Sequence, residues 1–283
     1  MYNSIIVFFI LLLVNVLHSG ESRVIRFPSS FMRNGEAVYR VYLPDAYDAS
    51  STEYPVIFLL HGNGDDENSW QPALKILDSL TIQHRIDPAI AVIPRGGRNW
   101  WVNGIDSVES MFFRELIPDV EKRFRVKSGA ESRWISGYSM GGYGAVRYAL
   151  FYPECFSGAI VMSPALYEHD PPMESSARST GAFGNPFDSL IWREKNYPAT
   201  LPNFLQTDRK LPVFLACGDD DWHHEEGYIY NIEYQLVVLY EKLHKSGGAD
   251  AEMRIFNGGH NWEVWGPAFR EGLLYLFRHR KTR

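Results

Sequence analysis

Short apolar runs recur along the chain at residues 55–60, 90–93, 134–136, 159–162 and 211–216, rich in valine and isoleucine and without sustained alternation. Runs of this kind fit strands buried on both faces. A further run at 253–256 supplies a last strand. Between them, helical spacing of apolar positions predicts helices over 73–80, 109–123, 142–151, 228–243 and 267–277. Strands alternating with helices imply right-handed crossovers and a mostly parallel central sheet with helices on both faces, the α/β class. The start differs. Residues 24–27 are mostly apolar, Tyr39, Val41 and Leu43 share one face at period two, and Asn34-Gly35 lies between, which predicts an N-terminal antiparallel hairpin.

The rhythm breaks between residues 166 and 211, where Pro171-Pro172, Gly184-Asn185-Pro186 and Tyr197-Pro198 interrupt the chain. This reads as a lid-like excursion over the sheet, with a plain structural insertion as the equal alternative. At the N-terminus an apolar run from Ile5 to Val14 extends to Leu17 and ends in His18-Ser19-Gly20. It is shorter than the roughly 20 residues that span a bilayer, so residues 1–20 are expected to be a cleaved secretory signal. The mature protein would then be secreted or periplasmic, without stable membrane association, as a single domain over 21–283.

Composition narrows the function classes. The chain has 283 residues and a net charge of -6 spread over scattered groups, with no basic stripe for a phosphate backbone, so nucleic acid is not an expected partner. The basic C-terminal residues suit a solvated helix end. Cys155 and Cys217 are the only cysteines. Export would permit one bridge between them, and a buried free thiol at Cys217 is the competing reading.

The strongest chemical signal is Trp134-Ile135-Ser136-Gly137-Tyr138-Ser139-Met140-Gly141-Gly142, a G-x-S-x-G element after an apolar run and before a helical one. A sharp strand-to-helix turn there would lift the Ser139 hydroxyl clear of the sheet toward a base, as a weak nucleophile requires. An acyl-transfer serine also needs a base, an acid that orients it, and backbone donors for the oxyanion. In hydrolase order the acid follows the nucleophile and precedes the histidine. The run at 211–216 leads into Gly218-Asp219-Asp220-Asp221, from which Asp221 is preferred and Asp220 stays open. His260, in Gly258-Gly259-His260-Asn261-Trp262, follows the last strand and precedes the last helix. The oxyanion donors would be the amides of Met140 and of Asn63, in His61-Gly62-Asn63-Gly64. His61 reads as a structural side chain packed under that loop. His223 and His224, flanked by Glu225 and Glu226, lack the i, i+4 spacing of a zinc helix, and no metal or cofactor is expected. Trp70, Trp100, Trp101, Tyr138, Trp222, Trp262 and Trp265 fall in loops where substrate would lie; they read either as a platform for sugars or aryl groups, or as core.

With these pieces in order, the chain resembles the esterase family that includes feruloyl and acetylxylan esterases, tributyrin esterases, esterase D and mycolyltransferases. The resemblance rests on His61-Gly62 with Asp65 and Trp70, Trp100 to Asn103, Phe113 to Pro118, Gly137 to Gly142, Gly218-x-x-Asp221 and His260-x-Trp262. It implies an α/β-hydrolase fold and a serine carboxylesterase without metal or organic cofactor. Position by position it implies Ser139, Asp221 and His260 as the triad, with Asn63 and Met140 as oxyanion amides. One departure is Pro94-Arg95-Gly96-Gly97-Arg98, where relatives often carry an acidic residue. An ester substrate, carbohydrate-linked or aliphatic or a siderophore ester, is the implied partner. Transfer to an alcohol or sugar instead of water is the catalytic alternative, and a silent carbohydrate-binding protein on the same fold is the non-catalytic one.

Overall fold

The computed structural model describes residues 19–45, 47–207 and 209–281. The expected leader over residues 1–20 falls outside them apart from Ser19 and Gly20. Among the described residues eight strands form one sheet: β1 (Glu21–Pro28), β2 (Glu36–Leu43), β3 (Val56–Leu60), β4 (Ile90–Pro94), β5 (Arg133–Tyr138), β6 (Ala159–Met162), β7 (Leu211–Gly218) and β8 (Ala249–Phe256). Their order is β1-β2-β4-β3-β5-β6-β7-β8. β1 and β2 form the antiparallel hairpin, β2 also runs antiparallel to β4, and every later pairing is parallel.

The helices are α1 (Gln71–Ile82), α2 (Val108–Met111), α3 (Ile117–Arg123), α4 (Met140–Phe151), α5 (Ser189–Lys195), α6 (Tyr197–Leu205), α7 (Ile232–Ser246) and α8 (Trp262–Lys281). They cover both faces, and β3 shows why its sequence lacks alternation. Val56, Phe58 and Leu60 enter the core under α4, while Ile57 and Leu59 enter the core under α1 and α8. Each residue in turn meets a helix layer, so none can be polar.

Three expected elements differ in extent. The helix over 109–123 is divided by a π-helical segment, Phe112–Leu116, just before Pro118, whose missing N–H cannot continue a regular ladder. The last helix begins at Trp262, ahead of Pro267, because Asn261 caps it: its Oδ1 accepts from the Glu263 amide at 2.9 Å. The excursion carries structure of its own, α5 and α6, started by Asp188 and Asn196, whose side chains accept from first-turn amides. Both cysteines are free. Cys155 precedes β6 and Cys217 sits near the far end of neighbouring β7, at opposite ends of the parallel strands, so the bridge that export would permit does not form.

Candidate active site

Parallel strands deliver their C-terminal ends to one edge, and the sequence-predicted groups gather there. β5 ends at Tyr138, and Ser139 turns the chain directly into α4 with φ 57° and ψ −124°. A non-glycine residue held at positive φ carries strain that the surroundings must over-determine. The surroundings are close-packed backbone: a Cβ on Gly141 would lie 2.0 Å from the Leu60 carbonyl oxygen, and one on Gly137 2.0 Å from the Gly141 carbonyl oxygen. Only glycine lets α4 come this near β3 and β5.

β7 runs into the turn that holds Asp221, and burial sets Asp221 apart from the two aspartates before it. Asp219 and Asp220 are exposed, whereas Asp221 is 2% exposed and its Oδ1 lies 2.6 Å from His260 Nδ1. Its other oxygen accepts from Ser163 Oγ at 2.6 Å, and the Trp222 amide donates to Oδ1 at 2.8 Å. Burial pushes the Asp221 carboxyl up, but the hydrogen bond and charge of His260 together with the Ser163 and Trp222 donors outweigh it. The net position is below the ordinary aspartate value, so the group is a carboxylate at neutral pH.

With Nδ1 engaged by the carboxylate, His260 Nε2 is buried and has no hydrogen-bond partner among the described residues. His260 and Ser139 line the same cavity of about 510 Å³, with Asn63 and Met140 also in its wall. Met140 is the first residue of α4, where an amide has no preceding-turn carbonyl to bond. The Asn63 side chain accepts from Arg98 Nε at 3.2 Å, so the segment that departs from the family pattern tethers this loop. Arg95 instead pairs with the buried Glu67.

His61 packs beneath the loop as expected. It is fully buried, its Nδ1 lies 2.8 Å from the Gly62 carbonyl, and its Nε2 accepts from the Gly96 amide at 2.9 Å. Burial holds the ring below the ordinary histidine range, against the pull of Asp65, Asp66 and Glu67. His223 and His224 turn to different partners, Glu233 and Glu174.

The aromatic expectations divide. Trp100, Tyr138, Trp222 and Trp265 line the cavity. Trp70 does not: it is fully buried among Tyr138, Trp262 and Phe269, where α1 meets α8. Trp101 is also core, its Nε1 donating to the His61 carbonyl at 3.2 Å. Trp262 packs behind the cavity against Trp70 and Trp265. Trp100 and Trp101 both hold positive φ, 51° and 56°, which turns one ring toward the cavity and the other under it. Trp222, 48% exposed, stacks on His260 with centroids 3.9 Å apart.

Sequence reading missed Ser163 and the role of Trp265. Trp265 Nε1 donates to Ser163 Oγ at 2.9 Å, and the Ser163 hydroxyl donates in turn to Asp221, so a chain of donors ends on the carboxylate. The available signal was position: Ser163 directly follows β6, one strand from the nucleophile.

The sequence matches the Esterase family over residues 29–276. The chain belongs to the esterase family. Among its relatives, the chain is 31% identical over 196 residues to an esterase of Mycobacterium tuberculosis, an alignment covering 63% of this chain and 42% of that protein. It therefore spans less than half the length of that relative. To the acetyl esterase of Caldicellulosiruptor saccharolyticus it is 27% identical over 233 residues, 77% of this chain and 81% of the other. The solved structure of a ferulic acid esterase superposes on this chain with a TM-score of 0.75 at 23% identity, covering 92% and 98% of the two chains. That likeness shows the α/β-hydrolase fold.

Proposed function

We propose that this esterase is exported and hydrolyses carboxylic esters through Ser139, His260 and Asp221, with the Asn63 and Met140 amides as oxyanion donors. One observation carries the reading: an imidazole fixed by a buried carboxylate leaves an unpartnered Nε2 in the cavity that also holds a serine on a strained turn.

Ser139 Oγ attacks the ester carbonyl as His260 Nε2 takes its proton, and Asp221 stabilises the imidazolium so formed. Negative charge moves to the carbonyl oxygen, where two fixed N–H groups stabilise it by about 3 kcal/mol each. His260 then returns the proton to the leaving alcohol. Water, activated by the same imidazole, attacks the acyl-enzyme and releases the acid. Since Nε2 has no hydrogen bond among the described residues, the serine–histidine bond closes as substrate enters. The acetyl esterase and ferulic acid esterase likenesses, with Trp100 and Trp222 in the cavity wall, favour acetyl or feruloyl esters of carbohydrates.

The test is hydrolysis of p-nitrophenyl acetate, butyrate and octanoate and of methyl ferulate by wild type and Ser139→Ala. Turnover that vanishes in the variant is the expected result; turnover that survives it sinks the mechanism. Export is tested separately by sequencing the N-terminus of protein recovered from a secreting host, where a start near Glu21 is expected and an intact leader on the recovered protein contradicts it.

A further inference from the structure

The cavity has a polar wall that the ester chemistry leaves unused. Tyr167 comes from the segment after β6, Glu174 from the excursion and His224 from the loop beyond Asp221, and all three line the cavity. His224 Nδ1 lies 2.5 Å from Glu174 Oε1 and its Nε2 lies 3.3 Å from the Tyr167 hydroxyl. The His224 side chain is 6% exposed and its amide is fixed by Asn231. Tyr167 is 1% exposed and held at φ 34°, a conformation a bulky residue keeps only where its surroundings demand it. None of the three touches Ser139, His260 or Asp221 through a hydrogen bond.

Donor accounting shows what this wall offers. In the neutral tautomer whose Nδ1–H donates to Glu174, Nε2 accepts a hydrogen bond from the Tyr167 hydroxyl. The Tyr167 oxygen, which also meets the Ser175 side chain, and the half-exposed Glu174 carboxylate offer acceptor capacity toward the cavity. The lining includes the carboxylates of Asp65 and Glu174 and neither lysine nor arginine. An anionic substrate group is disfavoured there, and a neutral donor is matched.

Resting on Ser139 as the nucleophile, we propose that Tyr167, His224 and Glu174 form a hydroxyl-recognising subsite that selects esters bearing a free hydroxyl on the acyl or the alcohol part. The two sources are separated by paired substrates. In the acyl arm, kcat/KM is measured for methyl ferulate against methyl 3,4-dimethoxycinnamate. In the alcohol arm, a mono-O-acetyl methyl xyloside is set against its O-methylated counterpart.

Wild type should prefer the free hydroxyl by about 10-fold or more in at least one arm. Tyr167→Phe and Glu174→Gln should each pull that ratio toward one. The ratio compares two substrates on one preparation, so partial misfolding of a variant leaves it unaffected. The arm that responds identifies the hydroxyl. A wild-type ratio near one in both arms, or a ratio unchanged in both variants, overturns the subsite. If instead Ser139→Ala turns over the capped esters as wild type does, the underlying nucleophile assignment has failed.

Discussion

Ser163 gives the sharpest quantitative test of how the acid is held. Its hydroxyl donates to Asp221 Oδ2 at 2.6 Å and accepts from Trp265 Nε1 at 2.9 Å, and the residue is completely buried. Ser163→Ala removes a hydrogen bond to a charged group, worth about 1.5–3 kcal/mol, and orphans a buried indole N–H at about 1–3 kcal/mol more. A destabilisation of about 3 kcal/mol or more is expected. Ser163 also holds φ 43°. Ser163→Gly loses the same bonds but sheds the backbone strain, so it should be more stable than Ser163→Ala by about 1 kcal/mol.

The effect depends on pH with a definite sign. Asp221 lies below its ordinary value in the folded protein, since the His260 and other donors outweigh the burial that raises it. Its stabilisation is present above the unfolded value of about 3.9 and is lost as pH falls through the folded one. Without the Ser163 donor the folded value moves up. The stability gap to wild type is then full at pH 7 and narrows on acidification, first as the variant's carboxyl takes its proton. Urea unfolding at pH 7 and pH 4 measures the gap. Turnover of p-nitrophenyl acetate at pH 7 should fall by roughly 10-fold or more as the carboxylate that orients the imidazole loses one of the donors that fix it. A variant within about 0.5 kcal/mol of wild type, or a gap that widens on acidification, refutes the reasoning.

Four further outcomes are expected. Asp221→Asn should lower kcat by about 10⁴, while the exposed Asp220→Asn keeps most of it; steady-state kinetics on one ester decides between them. Ser139→Gly should melt above Ser139→Ala in thermal unfolding, because glycine accepts the φ of 57° that alanine does not. Gly141→Ala should fail to give soluble folded protein or unfold several kcal/mol early, about 4 kcal/mol by analogy with severe core clashes, since its Cβ would meet the Leu60 carbonyl; circular dichroism and urea melts report it. His61 is buried neutral below its ordinary value, so the unfolded chain binds a proton the native state refuses, and stability falls as pH drops below about 6.5. His61→Gln should flatten that slope between pH 5 and 7 in urea melts, at some overall loss of stability.

The candidate site groups were legible because backbone geometry constrains them. A serine between glycines at the end of a buried strand can occupy few conformations, and the order of acid and histidine along later strands follows from the parallel sheet. Strand positions were legible for the same reason: a run such as 56–60 must be apolar at every residue when both faces meet helices. Helix ends were less so. Pro267 reads as a start, yet Asn261 captures the first-turn amide and adds more than a full turn, which also fixes the loop bearing His260.

Residues that act through another side chain left no trace in spacing. Asp221 separates from Asp220 only because one of the two faces His260 and Ser163, a fact of burial that adjacent identical residues cannot announce. The tryptophans make the same point from the opposite side. Trp70 and Trp222 both stand in loop-like sequence, but Trp70 closes the gap between α1 and α8 while Trp222 lies open on His260. What distinguishes them is which neighbours compete for the ring. Three other rings pack on Trp70, whereas among the described residues the one ring on Trp222 is the His260 imidazole, and its side chain stays half exposed in the cavity wall. A large aromatic therefore becomes a candidate contact where the fold fails to bury it beside a reacting atom, and removing Trp222 should weaken ester turnover where removing Trp70 weakens the fold.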